Sequence, residues 1–158
     1  MNVKEKGSAI VEFALAALFF MMVLFAIIEF SYLYWVNLSM QHAVREGARY
    51  ASVTGPSGFT PTSTKTSAEL RCAAVVDAIK ANSMGVYDRV SPSLTYSTVD
   101  PATGNIVAIG SGCGGASQII MIKLVCARPL ITPIMKPFFT NGKYNFTVSA
   151  TMMNEAFK

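Results

Sequence analysis

The sequence predicts an α+β protein in which a long N-terminal helix precedes a small domain with one helix packed on an antiparallel sheet. Three observations predict this fold: an apolar run near the N-terminus, a helical repeat in mid-chain, and strand-like segments separated by glycine and proline. With 158 residues, the chain has room for one membrane span and one small domain.

The apolar run covers residues 8–36 and contains two charged side chains, Glu12 and Glu29. Residues 13–28, between them, carry no polar side chain. Because about 20 apolar residues cross a hydrocarbon core of about 30 Å, the run is long enough to span a membrane. A removable secretory signal has a shorter apolar core followed by a small-residue cleavage site, and no such site follows Val36. We therefore predict a transmembrane helix over residues 8–36.

The helical pattern continues over residues 37–53. Small and apolar residues recur there at spacings of three and four, which is typical of a helix with one buried face. These residues are Met40, Ala43, Val44, Gly47, Ala48 and Ala51. The sequence therefore predicts one continuous helix from about Ser8 to Ser52, which the loop-forming residues Gly55-Pro56-Ser57-Gly58 end.

A second helix is predicted from Ser67 to Asn82. Thr66 and Glu69 have the spacing of a capping box, in which each residue satisfies a free backbone N–H at the start of a helix. The predicted inner stripe consists of Cys72, Val75, Val76 and Ile79, and the residues predicted to face outward are Arg71, Asp77 and Lys80.

The rest of the chain predicts antiparallel strands at 93–99, 106–109, 118–128 and 144–152. Residues 100–105 form a turn, residues 110–115 a glycine-rich surface loop, and Asn141-Gly142 a hairpin-type turn. The predicted core of this α+β domain, assigned to residues 54–158 outside the cytoplasm, consists of Cys72, Val75, Val76, Ile79, Ile122, Leu124, Phe146 and Val148.

Three cysteines allow at most one internal disulfide. If the first strand returns along the second helix, the strand after Cys113 runs parallel to that helix. Cys72 and Cys113 then lie at the same end, and Cys126 lies about 25–30 Å away. We hypothesise a Cys72–Cys113 disulfide in an oxidising compartment, with Cys126 as a buried free thiol. The alternative is three reduced cysteines.

The residues needed for catalysis, metal binding or nucleic-acid recognition are not grouped in the sequence. The single histidine, His42, lacks the nucleophile and orienting partner that a catalytic site requires. No cysteine pair has the C-x2-C spacing of a zinc site. The net charge of +4 is dispersed, which argues against a nucleic-acid partner. We expect a non-enzymatic protein with no cofactor and no metal.

The two carboxylates in the apolar run need an explanation, because an acid at the centre of a membrane helix costs about 2.5–3.5 kcal/mol. Glu12 is either an end-of-helix charge that reaches the interface or part of an assembly contact. If the chain is cut after Gly7, the new α-amine of Ser8 can pair with Glu12 of a neighbouring subunit and set the register between packed helices. Glu29 is expected at the membrane interface or in contact with a specific polar partner.

Three blocks of the sequence resemble the TadE family of the tight-adherence (Flp-type) pilus machinery. They are Gly7-Ser-Ala-Ile-Val-Glu-Phe-Ala-Leu15, Ile28-Glu29-Phe30 and Ala43-Val-Arg-Glu-Gly-Ala-Arg-Tyr-Ala-Ser52. The resemblance implies a pilin-like fold and a pseudopilin or minor pilin of a type IV pilus or related secretion machinery, with roles in adhesion and biofilm formation. Its implied partners are a prepilin peptidase and other pilins or pseudopilins, which the N-terminal helix contacts.

Carried onto this sequence, the resemblance implies cleavage between Gly7 and Ser8, with residues 1–7 as a leader peptide. It implies an assembly contact at Glu12 and Phe13. It also implies a single-pass protein of the bacterial inner membrane, with the N-terminus cytoplasmic and the C-terminal domain periplasmic or extracellular. Leu18 stands where many relatives have a proline, so we expect a straighter helix here.

Two other classes of function remain as alternatives. The chain could be an uncleaved single-pass anchor that carries a periplasmic binding or sensor module. A membrane-tethered hydrolase would need catalytic residues that the sequence does not group together. Cleavage distinguishes the first alternative, because only a processed pseudopilin has Ser8 as its mature N-terminus.

Overall fold

The computed structural model describes residues 3–110 and 112–157, with side chains from Gly7 onward. Residues 1–2 of the expected leader lie outside the described residues. The chain divides into two compact units. The first contains the chain up to Trp35 together with Pro129–Tyr144, and the second contains Val36–Arg128 together with the chain from Asn145.

The helices agree closely with the predicted elements. They are α1 (Val3–Val53), α2 (Ser67–Ala81) and the short α3 (Tyr87–Val90), and 3-10 turns occur at Pro56–Gly58, Pro133–Phe138 and Thr140–Gly142. The capping box at the start of α2 is complete, because Thr66 Oγ1 accepts from Glu69 N and the Glu69 carboxylate accepts from Thr66 N. The sequence analysis missed α3, a single turn without a repeating apolar pattern.

Within the described residues, four antiparallel strands form one sheet, which confirms the predicted α+β class. They are β1 (Ser93–Val99), β2 (Ile106–Ala108), β3 (Ile119–Pro129) and β4 (Lys143–Met153), in the spatial order β2-β1-β3-β4. The register places Leu94 opposite Leu124 and Tyr96 opposite Ile122. In β4, Phe146 and Val148 are buried while the residues between and beside them are exposed, so this strand has one core face.

The core of the second unit lies between the sheet and the two longer helices. The stripe predicted for the second half of α1 is buried throughout, from Met40 to Ala51. Gly47 is needed there because a Cβ atom at this position would lie 2.2 Å from Ile79 Cγ1 of α2. Of the predicted core, Cys72 and Val76 are only half-buried.

Arg71 was predicted to face outward, and this prediction is wrong, because only 2% of the residue is exposed. Its guanidinium donates to the backbone carbonyls of Ala51 at 2.6 Å and Gly114 at 2.7 Å, and also to that of Thr54. It also lies 4.7 Å from the centre of the Phe157 ring. Since the last carbonyls of a helix lack partners within the helix, Arg71 caps α1.

The glycine-rich segment near residue 114 is less open than a simple surface loop. Cys113 is buried, and a Cβ atom on Gly114 would lie 2.2 Å from Ile120 Cγ2. Gly114 also has φ of +81°, a conformation that favours glycine. The close packing against β3 and the positive φ explain why glycine is needed at this position.

Candidate functional site

The first part of α1 exposes a continuous apolar surface. An 18-residue window of the helix has a mean hydropathy of 2.6 and no buried residue. Phe13, Leu18 and Phe19 are among its most exposed side chains. Soluble proteins rarely expose apolar surface on this scale unless it faces a membrane or a partner. One long apolar N-terminal helix of this kind fits a single-pass membrane anchor.

The residues expected at the processing and assembly positions lie together at the start of this surface. Apart from the backbone of its own helix, a Cβ atom on Gly7 would meet no described atom within 4 Å. One helical turn further on, Glu12 Oε1 accepts a hydrogen bond from Ser8 Oγ at 3.2 Å. Glu12 is exposed, and Phe13 beside it is 74% exposed. No described side chain therefore crowds the position of a side chain at Gly7, and the Glu12 carboxylate lies within reach of groups on residue 8.

Glu29 lies in a different environment, because only 2% of it is exposed. Its Oε1 accepts from Ile131 N at 3.0 Å, while its Oε2 accepts from Thr132 N at 2.8 Å and from Thr132 Oγ1 at 2.7 Å. Hydrogen bonds from backbone N–H groups stabilise a carboxylate in its charged form. Both partner residues lie just before the 3-10 turn Pro133–Phe138, so Glu29 satisfies backbone groups at the start of that turn.

An apolar cluster surrounds this contact within the first unit. Leu33 of α1 packs with Leu130 and Met135, and all three are buried. Phe139 adds ring contacts, with centroids 6.4 Å from those of both Phe30 and Tyr144. Pro129–Tyr144 is therefore held on α1 by a polar contact inside an apolar cluster, which we call the Glu29 clasp (Glu29, Leu33, Leu130, Thr132, Met135 and Phe139).

One local feature of the sequence indicates the polar half of the clasp. Thr132 directly precedes a proline, and Thr-Pro is typical of the start of a short helix, where free backbone N–H groups attract a carboxylate. Glu29 and Thr132 are 103 positions apart, so periodicity alone does not connect them.

The structure joins Cys72 and Cys113 in a disulfide, with the Cα atoms 5.6 Å apart. This separation is ordinary for a disulfide. Cys126 is a buried free thiol, and burial raises its pKa to about 11. Among the residues that the structure describes, no three His, Cys, Asp or Glu side chains are grouped so that they could hold a metal ion.

The comparisons with known proteins concern the long helix. The family model described as TadE-like protein matches residues 7–49, which confirms the resemblance over that stretch. The matched residues include the open Gly7, the Ser8–Glu12 contact, Glu29 and the closely packed Gly47. This family suggests a minor pilin role associated with Tad pili. No curated protein and no solved structure matches the chain.

Proposed function

We propose that this chain, TadE-like over residues 7–49, is a pseudopilin or minor pilin that takes part in assembling a tight-adherence (Flp) type IV pilus or related secretion machinery. Through that pilus it supports adhesion and biofilm formation. The observation that carries the proposal is the match of the family model to an exposed apolar helix, with a glycine directly before the apolar part of that helix. The role is structural, and the chain is the substrate of a peptidase rather than an enzyme.

Processing by prepilin peptidase at the Gly7–Ser8 bond is the first step in this proposal. The bond lies within α1, directly before its apolar part, and no described side chain crowds the position of a Cβ on Gly7. Cleavage turns residue 8 into a new N-terminus with a charged α-amine. The protein is then held in the inner membrane by its helix, with its C-terminal domain on the periplasmic or extracellular side.

Assembly is the second step, and Glu12 with Phe13 forms the proposed contact. The Ser8–Glu12 hydrogen bond brings residue 8 within reach of this carboxylate in one chain. In a bundle of helices, the amine of one subunit meets Glu12 of its neighbour. Because both charges leave water, an unpaired amine or carboxylate is strongly disfavoured, and only one axial alignment of the helices pairs them.

Processing is tested by replacing Gly7 with leucine. The bulky side chain should block the peptidase, so the protein purified from cells keeps the leader and cells lose pilus-dependent attachment. Gly58→Leu is the matched control, because a Cβ at Gly58 also meets no atom within 4 Å. N-terminal sequencing should find Ser8 as the first residue of the wild-type and Gly58→Leu proteins. A wild-type protein that retains the leader while attachment is normal would contradict the proposal and favour the uncleaved anchor.

Assembly is tested by Glu12→Gln. The amide keeps the shape of the side chain but cannot neutralise the amine of a neighbour, and losing one partner of a buried charge pair costs about 2–5 kcal/mol. We expect normal cleavage after Gly7 but a loss of pili, counted by electron microscopy of sheared cells. Glu46→Gln is the control, because Glu46 forms an ion pair with Arg49 at the protein surface. Normal piliation of the Glu12→Gln strain would exclude the proposed pairing.

A further inference from the structure

The segment Pro129–Tyr144 exposes large apolar side chains although it lies outside α1. Ile131 is 58% exposed, Ile134 is 50% exposed and Phe138 is 69% exposed. The side chains of Leu130 and Met135 point the other way, into the Glu29 clasp. One face of this segment is thus buried against the protein, while a second apolar face is exposed. Exposed apolar faces of this kind are typical of surfaces that contact a membrane or a protein partner.

The polar backbone at the start of this segment is already satisfied. Ile131 N and Thr132 N both donate to the Glu29 carboxylate. An unsatisfied backbone N–H in a lipid environment costs several kcal/mol, so irregular backbone is tolerated near lipid only where it has protein partners. Because Glu29 satisfies these N–H groups, Pro129–Tyr144 can lie in an apolar environment although it is neither a full helix nor a strand.

The length of the fully unburied part of α1, Ser8–Ile28, indicates that Pro129–Tyr144 lies near a membrane surface. Ser8 to Ile28 is 21 residues, and no residue in it is buried. At 1.5 Å per residue this stretch is about 32 Å long, which matches a hydrocarbon core of about 30 Å. Glu29 is the next residue, so Ser8–Ile28 alone is long enough to cross the bilayer.

Charge distinguishes a lipid surface from other apolar partners. Pro129–Tyr144 contains Lys136 and Lys143, both exposed, and no acidic residue, so its net charge is +2. Lysines next to exposed apolar side chains are typical of interfacial segments that bind anionic lipid headgroups. The surface is also continuous with the lipid-facing part of α1, because Phe30 of that helix contacts Phe139 of the segment.

We propose that Pro129–Tyr144 is a second membrane contact, an interfacial collar that inserts Ile131, Ile134 and Phe138 at the boundary between headgroups and acyl chains of an anionic bilayer. The bilayer surface then lies at Glu29 instead of at Val36. This inference rests on the membrane-anchor part of the proposed function but not on pilus assembly. It gives Glu29 a role of its own, which is to hold the collar at the membrane surface.

The depth of single nitroxide labels tests the collar. Ile134→Cys and Phe138→Cys are made separately in the full chain with Cys126→Ala, then labelled and reconstituted in vesicles of phosphatidylcholine with one quarter phosphatidylglycerol. Collision with oxygen reports lipid, and collision with a water-soluble nickel chelate reports water. Leu18→Cys serves as the reference for the bilayer interior and Thr147→Cys, exposed on β4, as the reference for water.

We expect the labels at 134 and 138 to favour oxygen over nickel, with values between those at 18 and 147. Replacing both Lys136 and Lys143 with glutamine should shift the two labels toward nickel accessibility.

Three outcomes would contradict the proposal. If the labels at 134 and 138 are as accessible to nickel as the label at 147, while the label at 18 remains in lipid, the collar is wrong but the membrane anchor is not. A label at 18 in water overturns the anchor itself. Protection at 134 and 138 that disappears when vesicles hold few protein copies identifies a second copy as the occupant, which also overturns the collar.

Discussion

Arg71 shows how one residue can join separate parts of the chain in the second unit. Its guanidinium contacts carbonyls at the end of α1 and in the segment after Cys113. The carbonyl end of a helix carries partial negative charge, so a cation is favourable there. Burial lowers the pKa of Arg71 below its ordinary value, but the guanidinium stays protonated at neutral pH.

Burial also controls the chemical reactivity of the Cys126 thiol. Because thiolate is the reactive form and burial raises the pKa of Cys126 to about 11, this thiol should be protonated and unreactive at pH 7. We expect mass spectrometry to find no alkylated cysteine in the folded chain at pH 7 without reductant. Denaturation alone should expose one reactive thiol, at Cys126, and reductant should add Cys72 and Cys113.

Alkylation followed by mass spectrometry also distinguishes the Cys72–Cys113 disulfide from the alternative of three reduced cysteines. Three alkylated cysteines in the denatured chain without reductant would contradict the Cys72–Cys113 bond and indicate three reduced thiols. Raising the pH toward 11 increases the thiolate fraction, so the slow alkylation of folded Cys126 should accelerate over that range. A rate that levels off near pH 9, the ordinary thiol pKa, would show that the thiol is not buried.

At the scale of elements, the close approach of α1 and α2 depends on Gly47. A Cβ atom there would overlap with Ile79, which is itself buried. This contact gives a physical reason for glycine in the Gly-Ala-Arg block, since Gly47 allows the approach and Ala48 is buried beside it. Arg49 in the same block is exposed and pairs with Glu46.

Gly47→Ala should therefore destabilise the protein. Overpacking a core costs about 1–3 kcal/mol, while alanine gains about 1 kcal/mol in helix propensity, so we expect a net loss of up to about 2 kcal/mol in the free energy of unfolding. Denaturant unfolding of the full chain in detergent, followed by circular dichroism, measures this change. Gly58→Ala, at an open position, should leave the free energy nearly unchanged.

A double-mutant cycle shows whether Ile79 causes the loss. Ile79→Ala alone should cost about 2–5 kcal/mol because it removes buried methyl and methylene groups. In that background the space next to residue 47 is free, so adding Gly47→Ala should cost nothing or stabilise the helix slightly. Equal losses from Gly47→Ala in both backgrounds would mean that Ile79 is not the residue that requires glycine.

For the molecule as a whole, the exposed apolar part of α1 should make the protein associate with membranes. The wild-type chain should remain with membranes after extraction with alkaline carbonate. Leu18→Arg combined with Phe20→Arg should prevent stable insertion, because each charge near the bilayer centre costs about 2.5–3.5 kcal/mol. Leu38→Arg, at an exposed leucine beyond the apolar run, should leave fractionation unchanged.

Two outcomes would contradict the membrane anchor. One is a full-length wild-type chain that stays monomeric in water without detergent. The other is a double arginine variant that fractionates with membranes as strongly as the wild-type chain. Either result would require the exposed apolar surface of α1 to be covered by protein instead of lipid.

Much of the fold could be predicted because the relevant signals are local. The stripe from Met40 to Ala51 repeats with the period of a helix, and the alternation along β4 has the period of a strand. The predicted limits of β1 agree with the structure at both ends. The positions of Gly7, Ser8 and Glu12 in the candidate site follow from their spacing along one helix.

The rest could not be predicted in this way because it depends on contacts between distant residues. Arg71 looks like an outward-facing charge in its own helix, and it is buried only because carbonyls from two other segments meet at its position. Glu29 finds its partners more than 100 positions later in the chain. The positions of the apolar helix and the strands follow from the sequence alone, since periodicity is a property of residues that are close along the chain. The partners of the buried side chains Glu29 and Arg71 depend on the three-dimensional fold, because their hydrogen-bond donors and acceptors come from segments that are brought together by folding.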